Sequence, residues 1–328
     1  MNNGHPVITG LGFSVPSQVW DNSRLAEIVD TSDEWIRTRT GIITRRIAEA
    51  HETTATLASA AARAALENAR ILPGDIDVII VATMTPEMGF PATACFIQES
   101  IGAKRAAAFD ISAACTGFVY GLAIASSMVY SGLADHILVI GAETLSRIID
   151  WTDRNSCVLF GDGAGAAVVS RDGEGGRIID SIIRSDGANA ELLYMPGGGS
   201  RYPASEETVR DRMHYLKMTG KGLYREATAS MADAVLDILE RNGLGVEDID
   251  LLIPHQANLR IIYSTAKKLE MAFEKAYVNI DRFGNTSAAT IPIAMAEAQA
   301  EGRLRKNTNV VLVAFGSGMT WGSTLLRY

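Results

Sequence analysis

The chain has 328 residues, 47% hydrophobic and 21% charged, and its 30 basic and 38 acidic side chains leave a net charge of −8. That is the make-up of an ordinary globular protein able to bury one large core or two smaller ones, and its acidic balance argues against a nucleic-acid-binding surface while allowing a local basic patch. Apolar runs such as 78–84 and 310–315 fall far short of the roughly 20 residues that cross a bilayer, so neither a transmembrane helix nor a membrane partner is expected.

The first ten residues, MNNGHPVITG, lack the charged-then-apolar order of a signal peptide. Three cysteines, at 95, 115 and 157, form neither a disulfide framework nor a CxxC pair, and the cytoplasm is the expected location. An amphipathic helix is predicted over 54–69, ahead of an apolar strand in DIDVII (75–80). A second strand, 106–111, turns into a helix over 117–130 that is apolar nearly all round. Cys115 stands in that turn, at the positive end of a buried helix. Unpaired N–H groups and the helix dipole there favour thiolate and are expected to pull the pKa from about 8.5 toward neutrality, which would make a nucleophile. A strand opens at 135. The run Gly161-Asp162-Gly163-Ala164-Gly165 resembles a dinucleotide loop, but 166–169 continues as strand where that fingerprint requires a helix, so a Rossmann site is rejected.

Beyond a Gly-rich stretch at 172–176 comes a long excursion, 187–211, of the kind that is often functional or mobile. A helix is predicted over 226–242 and a strand over 251–253, which PHQAN (254–258) closes. Another predicted strand, 277–280, is closed by GNTS (284–287), and a last one opens at 309. DIDVII and DIDLLI (248–253) match, the strands leading to Cys115 and Asn285 match, and those opening at 135 and 309 match, all at near-constant separation. This indicates duplication of one α/β unit, with halves 1–175 and 176–328. The strands are apolar on both faces and call for helices on both sides. Cys95 and Cys157 read as core filler, and His5, His51, His136 and His214 show no ligand spacing, so no metal site is expected.

Six segments carry a resemblance: DTSDEWIRTRTGI (30–42), DISAACTGF (110–118), FGDGAGAAVV (160–169), PHQANLR (254–260), GNTSAAT (284–290) and FGSGMTWGS (315–323). In this order, over nearly the whole chain, they resemble the β-ketoacyl-acyl-carrier-protein synthase III family. The resemblance implies an α/β thiolase-like fold with five α-β-α-β-α layers. It also implies condensation of an acyl-CoA primer with malonyl-acyl carrier protein, with CoA thioester as substrate and no resident cofactor.

By position, the implied triad is Cys115, His255 and Asn285, with an oxyanion hole from the backbone N–H groups of Cys115 and Ser317. The family often has glycine where this chain has Ser317. Cysteine would carry the acyl group, while the imidazole and carboxamide N–H groups would stabilise the enolate left by decarboxylation. Trp35 and Arg154 would sandwich the CoA adenine, although Asn155 beside Arg154 replaces a small family residue. Arg39, Gly220 and Asn258 would line the pantetheine and phosphate path. Phe90, Leu145, Phe160 and Leu216 would wall a short primer pocket, Phe90 reaching into the other subunit of a homodimer. Arg225, Arg260, Lys267 and Lys268 would receive the acidic carrier protein. Starter condensing enzymes of secondary metabolism share fold and triad and remain the alternative; a non-catalytic acyl-CoA or carrier-protein binder is the alternative from another class.

Overall fold

A computed structural model describes residues 4–328. Among these residues nine strands form one mixed sheet: β1 (Val7–Ser14), β2 (Val78–Ala82), β3 (Ala107–Ile111), β4 (His136–Glu143), β5 (Gly163–Ser170), β6 (Gly176–Ser185), β7 (Leu251–Pro254), β8 (Asn309–Gly316) and β9 (Thr320–Arg327). Their spatial order is β7-β8-β9-β6-β1-β5-β4-β2-β3. The β1–β6 junction rests on only two pairs, Val7 with Arg177 and Ile8 with Gly176, so the sheet is free to fold over there.

Side-chain alternation shows how the layers stack. Val78 and Ile80 of β2 join Leu251 and Ile253 of β7 and Leu312 of β8 in a core shared by both halves of the sheet. Ile79 and Val81, one residue out of phase, belong instead to a core with α1 (Thr54–Ala69) and α2 (Thr93–Ile101). Leu252, Val311 and Val313 pack outward against α4 (Gly220–Arg241) and α5 (Leu259–Lys268). The shared core contains α3 (Gly117–Tyr130) and α6 (Thr290–Ala300). A strand with a period of two and both faces apolar needs a helix layer on each side. Two such half-sheets around one central helix pair give the five layers α-β-α-β-α.

The outer helix α1 starts on a capping box in which Thr53 and Thr56 satisfy each other's exposed groups, and it ends at Arg70 in the left-handed conformation. The glycine run at 161–165 enters strand β5, antiparallel to β1 and β4.

Two expected elements are corrected. No strand spans 277–280. A single bridge joins Ala276 to Leu252, and a short helix Ile280–Phe283 follows. The reason is Gln256, whose buried carboxamide donates to the Tyr277 carbonyl (3.0 Å) and accepts from the Asn279 N–H (3.1 Å), taking backbone groups a strand ladder would use. Helix α4 begins at Gly220, earlier than the expected 226, because the poor helix formers Gly220 and Gly222 mask its first turn in sequence. The 187–211 excursion carries a short strand, Leu193–Tyr194, paired with Lys217–Met218, and a helix Glu206–Arg210 fixed by its own capping box.

Near its end β4 approaches the turn Ser287–Ala289 so closely that a Cβ on Gly141 would overlap the Ala288 carbonyl. Gly141→Ala is therefore expected to cost about 1–3 kcal/mol by overpacking, read as a lower urea midpoint. Gly74→Ala, at a position with no atom within 4 Å, should leave the midpoint unchanged. Equal midpoints for the two variants would show that this approach does not constrain the fold.

Candidate active site

Cys115 lies in a single 3-10 turn, Ala114–Thr116, between β3 and α3. Its counterpart is the turn Ser287–Ala289 leading into α6. Each turn is set by a non-glycine residue in the left-handed region, Ala114 at φ 48° and Ser287 at φ 50°, a conformation that L side chains adopt only when the surroundings impose it. Neither α3 nor α6 has a side-chain N-cap, so no side chain screens the N–H groups of their first turns. The two turns meet between the half-sheets: a Cβ on Gly117 would touch the Ala288 methyl at 3.6 Å.

His255 follows β7, and its backbone N–H donates to the Val313 carbonyl (2.8 Å), which holds it to the end of β8. Its Nδ1 lies 2.7 Å from the Thr290 hydroxyl. Asn285 is pinned through its backbone, which donates to Leu159 O (2.9 Å) and accepts from Gly161 N (3.1 Å). Its side-chain oxygen accepts from the Ser287 N–H (2.8 Å), leaving the carboxamide N–H groups as donors. Cys115, His255 and Asn285 are all buried and line one cavity of about 730 Å³. At its outer end the cavity is lined by Trp35, Arg39, Gly220, Asn258 and Arg260.

The oxyanion assignment has a geometric basis on one side. Gly316 lines the cavity, and a Cβ there would stand 2.8 Å from the Cys115 nitrogen, so the backbones of these two loops approach as only glycine permits. Ser317 follows, and its hydroxyl donates to the Leu193 carbonyl, tying this loop to the 187–211 excursion. Leu193 is itself part of the cavity wall.

The remaining expected residues divide. Phe160 lines the cavity, whereas Leu145 and Leu216 are buried behind it in the same apolar cluster. Phe90 is 87% exposed and forms no part of this cavity's wall. Asn258 lines the cavity but spends its carboxamide elsewhere: the oxygen caps α5 through Arg260 N (2.9 Å), and the nitrogen donates to Arg39 O (3.1 Å). Arg154 and Trp35 touch each other, with the guanidinium carbon 5.1 Å from the ring centroid. Arg39 lies 5.0 Å from the same centroid, and Arg154 also donates to the Asp30 carbonyl (2.9 Å). No gap for a base separates Trp35 from Arg154 in this conformation. Asn155 lines the cavity beside them.

Arg225 is exposed and paired with Glu226 (3.1 Å), and Arg260 lies over the Tyr224 ring at 5.7 Å. Lys267 and Lys268 are exposed in the last turn of α5. Of the two cysteines read as core filler, Cys157 is fully buried and Cys95 only partly so.

The expected ionisation of Cys115 is overturned. Burial pushes its thiol up to about 12, and the Glu143 carboxylate pushes the same way, against the Ser287 hydroxyl and the residue's own N–H. Desolvation therefore outweighs the helix end, and the resting sulfur is a thiol. Burial also pushes His255 down to about 3, leaving a neutral imidazole. Glu143, which sequence reasoning missed, closes β4 as a fully buried carboxyl. It accepts from the Thr85 hydroxyl (2.6 Å) and from the N–H groups of Met84 and Thr85 (3.1 Å each), and burial still lifts it to about 7. The Ser287 hydroxyl acts on both Cys115 and Glu143 but reaches no hydrogen-bond partner among the described residues. An acid ending an otherwise apolar strand was the available signal for Glu143. Thr290 and Ser287 gave none.

Comparison with known proteins shows the family. A family model described as 3-oxoacyl-[acyl-carrier-protein (ACP)] synthase III matches residues 109–187, and its C-terminal counterpart matches residues 239–328. A β-ketoacyl-[acyl-carrier-protein] synthase III from Caldanaerobacter subterraneus is 52% identical over 98% of this chain and 97% of its own length. The crystal structure of 3-oxoacyl-[acyl-carrier-protein] synthase III from Aquifex aeolicus superposes with a TM-score of 0.92 at 47% identity, covering 98% of this chain and all of that one. The priming β-ketosynthase of the R1128 polyketide pathway superposes with a TM-score of 0.91 at 35% identity, covering 98% and 96%. With half its residues shared with such relatives along nearly its whole length, the chain belongs to the β-ketoacyl-acyl-carrier-protein synthase III family.

Proposed function

We propose that this protein is a condensing acyltransferase that joins an acyl-CoA primer to malonyl-acyl carrier protein through an acyl-cysteine and so initiates fatty-acid synthesis. The observation that carries the reading is the convergence of Cys115, His255 and Asn285 at the buried end of a cavity whose outer end is lined with arginines. In the first half-reaction the Cys115 sulfur attacks the thioester carbonyl, the C–S bond to CoA breaks, and CoA leaves as the thiol with the proton that Cys115 gives up. In the second, the malonyl carboxylate leaves as carbon dioxide. The electron pair of the broken C–C bond becomes an enolate, which His255 and Asn285 receive with N–H donors, and the resulting carbon attacks the acyl-cysteine. The C–S bond to Cys115 breaks, its sulfur leaves as the thiolate, and it takes back a proton from solvent, the one proton the overall reaction consumes. Donors fixed before charge develops lower such a barrier without reorganising. A resident cofactor has no step to perform, because CoA arrives as the substrate's own carrier.

Phe160, with Leu145 and Leu216 packed behind it, supports a short primer. The exposed cations Arg225, Lys267 and Lys268 support docking of an acidic carrier protein on the α4–α5 face. An unpaired sheet edge at β3 and the exposed Phe90 support a homodimer; sedimentation should then give twice the chain mass of 35.1 kDa, and a species of single mass at micromolar concentration would remove that part of the reading. The alternative, a starter condensing enzyme of secondary metabolism, shares fold and triad and differs mainly in the shape of the primer pocket.

The triad is tested by intact mass. Incubated with acetyl-CoA, the protein is expected to gain one acetyl group, and Cys115→Ser to gain none. His255→Ala and Asn285→Ala should still load acetyl but release no carbon dioxide from malonyl-acyl carrier protein. Acetylation of the Cys115→Ser protein would refute the assignment, and retained affinity for acyl-CoA without any transfer would favour a binder.

The raised Cys115 pKa has a separate test. Because the folded value lies well above the ordinary one, the thiolate fraction is small throughout neutral pH, and iodoacetamide labelling should climb about tenfold per pH unit between 7 and 10. A rate that levels off near pH 7.5 would show that the helix end, and not burial, controls the sulfur.

A further inference from the structure

The Thr290 hydroxyl is buried between two groups. It lies 2.7 Å from His255 Nδ1 and 3.0 Å from the Ser287 carbonyl, and a hydroxyl has one proton to give. The Ser287 carbonyl does not depend on it, since that oxygen already accepts the Thr290 backbone N–H in the 3-10 turn. A neutral imidazole carries its single proton on one nitrogen, and the partner of one nitrogen decides the state of the other.

We propose that Thr290 is a positioning residue: by donating its hydroxyl proton to His255 Nδ1 it keeps the imidazole proton on Nε2, where the ring can donate to the enolate oxygen formed from malonyl thioester. Were the bond reversed, with Nδ1–H donating to Thr290, Nε2 would present a lone pair to an oxygen that is gaining negative charge, and the two would repel. The geometry supports the first arrangement, because the contact to histidine is the shorter of the two and the carbonyl has a second donor. Thr290 opens α6 three residues after Ser287: Asn285 is held by Ser287, and Ser287 O bonds Thr290, so the imidazole and the carboxamide are aligned from one short segment.

The inference rests on the condensing reaction proposed above, and its test separates the two. Thr290→Val keeps the shape and removes the proton; Thr290→Ser keeps the hydroxyl. Decarboxylation of malonyl-acyl carrier protein is expected to fall roughly 100-fold in the valine variant, within the range seen when partners that orient a histidine are removed, and to recover to within about tenfold in the serine variant. Acetyl transfer to Cys115 should be unchanged in both. Independently of activity, 15N spectra of ring-labelled histidine in the unaltered protein should show His255 with an unprotonated Nδ1 and a protonated Nε2. A protonated Nδ1, or full decarboxylation by the valine variant, would overturn the role of Thr290. If the unaltered protein neither acylates nor decarboxylates, the proposed function fails, while the ring spectrum still decides which way the Thr290 hydrogen bond runs.

Discussion

Everything in the site follows from one packing constraint: two helices, α3 and α6, begin inside the protein, nose to nose between the halves of the sheet. Neither has a side-chain cap, and each is led in by a residue held at positive φ, Ala114 and Ser287. Such turns are stable only where their neighbours allow no alternative. Here the neighbours are backbone: Gly141 under the Ala288 carbonyl and Gly316 against the Cys115 nitrogen. These contacts leave no slack of even one methyl group, and around them Cys115, His255 and Asn285 come from distant stretches of chain to line one cavity.

The same constraint sets the electrostatics. Burial is the largest influence on each of the three titratable groups gathered where the turns meet. Cys115 is driven toward the thiol, His255 toward the neutral ring, and Glu143 well above the usual carboxylate range. The resting site is therefore close to uncharged apart from Glu143, even though a thiol, an imidazole and a carboxyl lie within one cluster of turns. Charge belongs to the reaction rather than to the resting protein, and the uncapped helix ends and the Asn285 carboxamide leave N–H donors in the site. In a low-dielectric setting such donors act more strongly than they would in water.

The sequence announces the elements and conceals their surroundings. All-apolar runs reveal β2, β3, β4, β7, β8 and the body of β5, whereas β1, β6 and β9 carry no such run, and the turn into α3 is legible because an apolar strand and an apolar helix flank it. Cys115 and His255 each stand at the end of an apolar strand, whereas Asn285 follows the short helix Ile280–Phe283, and only the family resemblance implied that the three act together. The pseudo-strand at 277–280 misled because its backbone groups are satisfied by the side chain of Gln256, and no local pattern reports a side chain from another segment. The ionisation of Cys115 misled for a related reason: a helix end is visible in sequence, whereas the depth of burial that outweighs it is a property of the assembled core. Glu143 and Thr290 matter through contacts that cross 58 and 35 residues of chain, and propensity and periodicity do not reach that far.

The outer end of the cavity obeys different physics from its interior. Arg154 rests on Trp35 and pairs with Asp30 across 3.6 Å, but both charges are substantially exposed, the Asp30 side chain completely so. Exposed ion pairs contribute about 0–1 kcal/mol and an exposed cation–π contact about 0.5–1 kcal/mol, so a ligand ring offering the indole a full stacking face can displace the arginine at little cost. Rearranging the interior would instead mean separating backbone from backbone where Gly141 meets Ala288 and Gly316 meets Cys115, with loss of close packing that a rim contact does not involve. A substrate can thus open the rim with the part of itself that does not react, and it meets donors that do not move at the part that does. Binding energy gathered at the rim is in this way available to hold the thioester against Cys115, which is the arrangement a condensing site needs when its nucleophile is not ionised in advance.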